Sequence, residues 1–189
     1  MDVVLFYLKE GFFHITDING YDHILFIISI SLILNPNIKR LIYIVSFFTL
    51  AHSLSLILAV LNIISIQASI IEVLIPVTIV FSSLFNLLYK ERFHVEQNKW
   101  LYLMVFIFGL IHGLGFSNYL RLILHQQESL FLPLLSFNVG LEIGQIILLL
   151  LLVLFVKLYN LYFKNYNYLH NFGHTMVILI ALKLILERI

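Results

Sequence analysis

Histidine is the side chain with which chemistry in this chain begins, because there are eight histidines and no cysteine. The lack of thiols excludes disulfides, thiol catalysis and sulfur-ligated metals, leaving imidazole and oxygen as the ligands the chain can offer. Three of the histidines, His23, His52 and His112, interrupt long apolar stretches. Polar groups there are costly in lipid and mark function by default. At 1.5 Å per helical residue, His23 stands about 18 Å above Asn35, His52 about 18 Å above Arg40 and His112 about 20 Å above Lys99. Glu142 stands about 22 Å above Lys157, and Glu72 and Asn138 reach about 27 and 28 Å. Five helices thus carry polar groups into the outer half of a hydrocarbon core about 30 Å thick. A lone buried polar residue in a membrane bundle ordinarily serves as interhelical glue, but glue need not converge at one depth. His23, His52, His112 and Glu142, with Asp22 beside His23, therefore read as a metal site. Imidazoles with carboxylates suit a first-row divalent ion such as Ni²⁺, Co²⁺, Zn²⁺ or Fe²⁺.

Other residues fall into place around that set. Asn138, Glu142 and Gln145 follow i, i+4, i+7 spacing and share one helical stripe. Amides and carboxylates such as these, with Glu72, suit the orienting of metal-binding imidazoles. His14, Asp17 and Asn19 form a polar mouth above the site. Gly109 and Gly113, like Gly140 and Gly144, are small-xxx-small pairs that permit close helix contact. Ser53 follows His52 and invites a Ser-His hydrolase reading. Adjacent helical residues diverge by about 100°, so that pair is badly placed for proton transfer. His94, His125 and His170 are expected in solvated loops, and His174 near the cytoplasmic end. Lys183 lies near the depth of the cluster and is expected to snorkel outward, with Glu72 or Glu142 as alternative partners.

The elements that must position these residues are membrane helices. Hydrophobic residues make up 61% of the 189 and charged residues only 11%, against roughly 25% charged in ordinary soluble domains. A chain of this size with so few charges cannot cover itself in water, so lipid must be its solvent. Turn residues and charges divide it into about six spans: Asn19 to Leu34, Leu41 to Val60, Ala68 to Tyr89, Trp100 to Leu120, Leu130 to Val156 and Phe172 to Arg188. The expected fold is all-α, a polytopic transmembrane bundle forming one integral membrane domain over residues 1–189. Residues 1–18 form an outer-surface segment with a short amphipathic helix, and residues 19–189 the bundle. The start lacks a basic n-region and a cleavage site, so no signal peptide is expected. The apolar run Ile24 to Leu34 has eleven residues, too few to cross. Either Asp22 and His23 are submerged or the chain enters as a non-helical segment covered by protein. A three-plus-three inverted repeat is topologically allowed, though the halves show no clear similarity. With the N-terminus outside, cytoplasmic loops hold Lys39, Arg40, Lys90, Arg92, Lys99, Lys157 and Lys164. Lys9, Arg121 and Arg188 lie on the other side, which places both termini outside by the positive-inside rule. A net charge of +1 offers no field for nucleic acid.

The strings GFFHITDINGYDHILF, FTLAHSLSL, IIEVLIPVTIVFSSLFN, FGLIHGLGFS and SFNVGLEIGQ resemble, in order, the blocks of the HupE/UreJ family of small membrane proteins. The resemblance spans roughly Gly11 to Gln145. It implies a nickel- or cobalt-type permease of the bacterial inner membrane whose matching positions are His14, Asp22, His23, His52, Glu72, His112, Asn138 and Glu142. Phe85 stands before Asn86 where relatives tend to carry a glutamate. Two further readings compete with the permease. Three histidines and an acid also suit an intramembrane zinc hydrolase acting on a lipid or lipidated substrate, with Asp22 or Glu142 as base. A structural subunit of a larger complex is the third. The partners expected are the metal ion and the bilayer, with a homo-oligomer or a partner membrane subunit also allowed. No phosphate-binding GxxxxGK[ST] loop occurs, so any driving force is an ion gradient or a partner ATPase.

Overall fold

A computed structural model describes residues 2–32, 37–88, 99–124 and 129–189, and every element among them is a helix. In order these are α1 (Val3–Thr16), α2 (Asp22–Ser31), α3 (Ile38–Val60), α4 (Ala68–Leu88), α5 (Lys99–Leu124), α6 (Phe131–Phe163) and α7 (Tyr166–Arg188). The five from α3 to α7 are long and apolar enough to cross a membrane, which makes this an integral membrane protein. Their outer faces carry large exposed apolar side chains such as Leu50, Phe81, Leu103, Leu151 and Leu179, as a lipid-facing surface requires. The Asn35-Pro36 turn, His94, His125 and most of the charged stretch before α5 lie outside the described residues.

Three helix pairs build the bundle: α3 with α5, α1 with α6, and α4 with α7. The α3–α5 pair is parallel, since Gly109 faces Phe48 and Ala51 while Gly113 faces His52 and Ser55. Neither glycine has room for a Cβ, so the backbones touch where the sequence places its small residues. The α1–α6 pair is also parallel. Gly11 abuts the Phe137 carbonyl, Gly140 the Leu8 carbonyl, and Gly144 the Ile15 side chain. The sequence places an N-terminal helix on the outer surface. In the structure that helix runs along the first half of α6, burying Tyr7, Gly11 and Ile15. Packing through glycine backbones, together with the burial of Tyr7 and Ile15, is what seats it there.

The chain then turns at residues 17–21 and continues as α2, which packs on α4, α6 and α7. The short apolar run thus resolves into a ten-residue helix with Asp22 and His23 buried in its first turn. Helices α6 and α7 are longer than the apolar stretches alone suggest. The α6 helix reaches Phe163, and Lys164 turns the chain through a left-handed conformation (φ 49°). The Asn165 carboxamide then accepts from the Tyr168 N–H to cap α7. His170, expected in a loop, is consequently a buried residue of α7. The polar, aromatic segment before it is helix-compatible and contains no glycine or proline to stop it.

Candidate metal centre

Three imidazoles from three helices meet in the interior. His14 comes from the last turn of α1, His23 from the first turn of α2 and His52 from the middle of α3. One nitrogen from each lies within 4.8 Å of the others, and the ring centroids are 4.7 Å apart for His14–His23, 5.9 Å for His23–His52 and 6.0 Å for His14–His52. His23 and His52 are buried and His14 is half-buried. His14 Nε2, His23 Nε2 and both ring nitrogens of His52 are buried without a hydrogen-bond partner. Buried polar atoms in native proteins are nearly always satisfied, so this group of orphaned lone pairs asks for a ligand. A divalent cation that favours imidazole fits the donor set.

His112 adjoins the three, its ring 5.2 Å from that of His23. The Thr78 hydroxyl donates to the Ile75 carbonyl at 2.7 Å and lies 3.3 Å from His112 Nε2. Thr78 so engages Nε2, and the buried Nδ1 has no hydrogen-bond partner. Asp22 receives Arg188 Nη2 on one oxygen at 3.0 Å and keeps its other oxygen buried and unpaired.

The amide and carboxylate stripe of α6 takes a different place. Glu142 accepts from Ser46, Gln145 accepts from Thr49 at 2.6 Å, and Asn138 accepts from Ser53 at 2.5 Å. These three pairs join α6 to α3 as a polar seam, while Glu142 retains one buried oxygen without a partner. Ser53 is thereby tied to Asn138 and to the Thr49 carbonyl, with no hydrogen bond to His52. Glu72 is exposed at the head of α4. Lys183 pairs with Glu187 at 3.3 Å on the surface.

The sequence placed His14 at a mouth, and the structure gives it two faces. It helps line a cavity of about 690 Å³ with Glu10, Asp17, Asn19, Phe116 and Tyr119, and its ring reaches His23 and His52. Asp17 is exposed and accepts from the Asn19 N–H at 2.9 Å. Glu10, absent from the sequence reading, accepts from Tyr119 at 2.9 Å. Inward from His112, Thr78, Ser82 and Asn86 recur every fourth residue on α4, and all are buried. Ser82 meets Ser29 of α2 at 3.0 Å, and Asn86 donates to the Ser29 carbonyl at 3.1 Å. That period of four was visible in the sequence, but hydroxyls and amides in membrane helices carry little signal on their own.

No curated protein and no solved structure gives a significant match to the chain. A family model described as HupE / UreJ protein matches residues 1–188, and over that whole length the chain belongs to the HupE/UreJ family.

Proposed function

We propose that the protein is a nickel- or cobalt-type divalent metal permease of the bacterial cytoplasmic membrane, with both termini outside. The observation that carries this reading is the trio His14, His23 and His52, whose orphaned nitrogens lie close together while His14 also lines the neighbouring cavity. The ion is captured past Glu10 and Asp17, held by the three imidazoles with His112 Nδ1 and the free oxygen of Asp22 in reserve, and passed inward. The buried hydroxyls and amide from Thr78 to Asn86 provide the polar lining for that passage. Neutral imidazoles with few carboxylates bind firmly enough to strip water and weakly enough to release. The family is associated with nickel and cobalt transport, which agrees with this donor set.

The test is uptake of Ni²⁺ or Co²⁺ into proteoliposomes containing a trapped metal-sensitive dye. His52→Ala and His23→Ala should each lower the initial rate at least tenfold. Undiminished uptake in both variants sinks the permease reading. The hydrolase reading draws support from the same three imidazoles, of which His14 also lines a cavity, since a catalytic zinc site keeps one position for water. Against it, the two carboxylates suited to act as base each already accept a hydrogen bond, from Arg188 and from Ser46. Zinc that stays with the purified protein through exhaustive dialysis would favour the hydrolase, and metal lost on dialysis the permease.

A further inference from the structure

Two histidines outside the centre just described share a face of α7. His170 and His174 are one turn apart, both buried at no more than 1% exposure. Their ring centroids are 4.5 Å apart in an edge-to-face arrangement. Histidines spaced i, i+4 on a helix present two nitrogens to one point and form the metal-binding half of known zinc helices. Neither ring nitrogen of His174 makes a hydrogen bond of good geometry, although the ring lies against the Leu32 carbonyl. Even with that carbonyl as a partner, the His174 ring keeps at least one nitrogen sealed from water without a hydrogen bond, which is expensive and has to be accounted for. His170 Nδ1 lies 3.2 Å from Asn171 Oδ1, the kind of contact that orients a metal-binding imidazole.

The pair lies at the far end of α2 from the first centre. Gly173 presses on the Leu32 side chain, and the Tyr166 hydroxyl donates to the Leu32 carbonyl at 2.9 Å. From His23 to Leu32 is nine residues, about 14 Å of helix. The carbonyl end of α2 carries the negative end of its dipole and favours a cation there. Helices α4 and α7 run antiparallel, with Arg188 of α7 bonded to the Glu72 carbonyl. Asn86 is fourteen residues along α4 from Glu72, and His174 fourteen back along α7 from Arg188. Both displacements are about 21 Å, so the buried polar file on α4 ends level with His174.

We infer that His170 and His174 form a second, inner metal site that takes a divalent transition-metal ion from the polar file and hands it to the cytoplasm. The site itself rests on the pair's own geometry, whereas its role as an exit rests on the permease reading. Two nitrogen ligands hold an ion less firmly than three, the order of affinities that inward release needs.

The experiment counts Co²⁺ bound by the full chain in lipid nanodiscs, by equilibrium dialysis at saturating Co²⁺ followed by elemental analysis. Two ions per chain are expected for the unaltered protein. One is expected for His52→Gln, and one for His170→Gln, which leaves the sealed His174 ring in place and so guards against simple misfolding. The ion kept by His170→Gln should disappear when His52→Gln is added. A count of two in His170→Gln overturns the inner site. One ion in the unaltered chain, lost with His52→Gln and kept with His170→Gln, overturns it too and leaves the permease reading intact. In proteoliposomes, Co²⁺ uptake by His170→Gln should fall at least fivefold. Unchanged uptake despite loss of the second ion overturns the exit role alone.

Discussion

Pro76 has no N–H to give the Glu72 carbonyl four residues earlier, and the donor that carbonyl lacks comes from Arg188 at 2.9 Å. The other arm of the same guanidinium holds Asp22 at 3.0 Å. One residue at the end of α7 therefore closes a gap in α4 and neutralises the carboxylate beside His23. Replacing it by glutamine should lower stability by about 2 kcal/mol, less than a fully sequestered pair loses, because the Arg188 side chain remains 23% exposed. The same change should raise apparent Co²⁺ affinity about tenfold, or about 1.4 kcal/mol, because it frees a carboxylate next to the imidazoles. A thermal melt and a Co²⁺ titration of Arg188→Gln would read the two effects. A merely structural arginine would move the first and leave the second. Arg188 was legible in the sequence only as an outer positive charge. What made the histidines legible was the cost of placing them in lipid. Their shared depth brought out His23, His52 and His112, but depth says nothing about azimuth. It therefore did not show that His14 turns inward or that Glu142 engages Ser46.

Among the elements, α1 packs chiefly on one partner, α6, through small residues, and the centre depends on α1. Its seat on α6 includes glycine set directly against backbone, where a Cβ at Gly140 would meet the Leu8 carbonyl, beside the buried side chains of Tyr7 and Ile15. Gly140→Ala should cost about 1–3 kcal/mol, as overpacking does. Because α1 must shift to make room, His14 should withdraw and Co²⁺ affinity should fall several-fold. Gly20→Ala is the control, since its new methyl would meet only the Asp17 carboxylate at 3.4 Å and should change stability by less than about 0.5 kcal/mol. Melting and metal titration of the two variants check this, and equal behaviour would refute the role given to the seam. The Gly140/Gly144 pair stood out in the sequence as a close contact, but its partner did not. A span-length filter looks for about 20 apolar residues, and here α1 and α2 follow one another as shorter helices broken by polar residues. The ends of α6 and α7 were missed for a related reason. Apolar content marks where lipid begins and ends, while a helix continues until its capping residues stop it.

Across the whole molecule, the proposed topology takes α1 and α2 in series as one crossing, since α1 packs beside the first half of α6 and α2 follows it. With α3 to α7, the five helices long enough to span, that topology would have six passages, an even number, and both ends of the chain on one side. The Arg188 contacts agree independently, because they join the end of α7 to the starts of α2 and α4. Lys39 and Arg40 open α3, and Lys157 and Lys164 lie toward the end of α6, all at the opposite end of the bundle. Under the orientation proposed above, the positive-inside rule assigns that end to the cytoplasm. At 33 residues, α6 is about 50 Å long, well beyond a hydrocarbon core of about 30 Å, so its exposed last turns stand clear of lipid. The absence of cysteine gives a silent background for testing the topology. Ser129→Cys and Ile189→Cys, both at exposed positions, should react with a membrane-impermeant maleimide applied to intact cells. Asn167→Cys, exposed at the start of α7, should react only after the membrane is permeabilised. The reverse pattern would invert the transport direction, putting the wide cavity beside His14 in the cytoplasm and making the protein an exporter. Labelling of Ser129→Cys and Asn167→Cys from the same side would break the crossing of α6 itself, and with it the placement of the three-histidine centre toward the outer face.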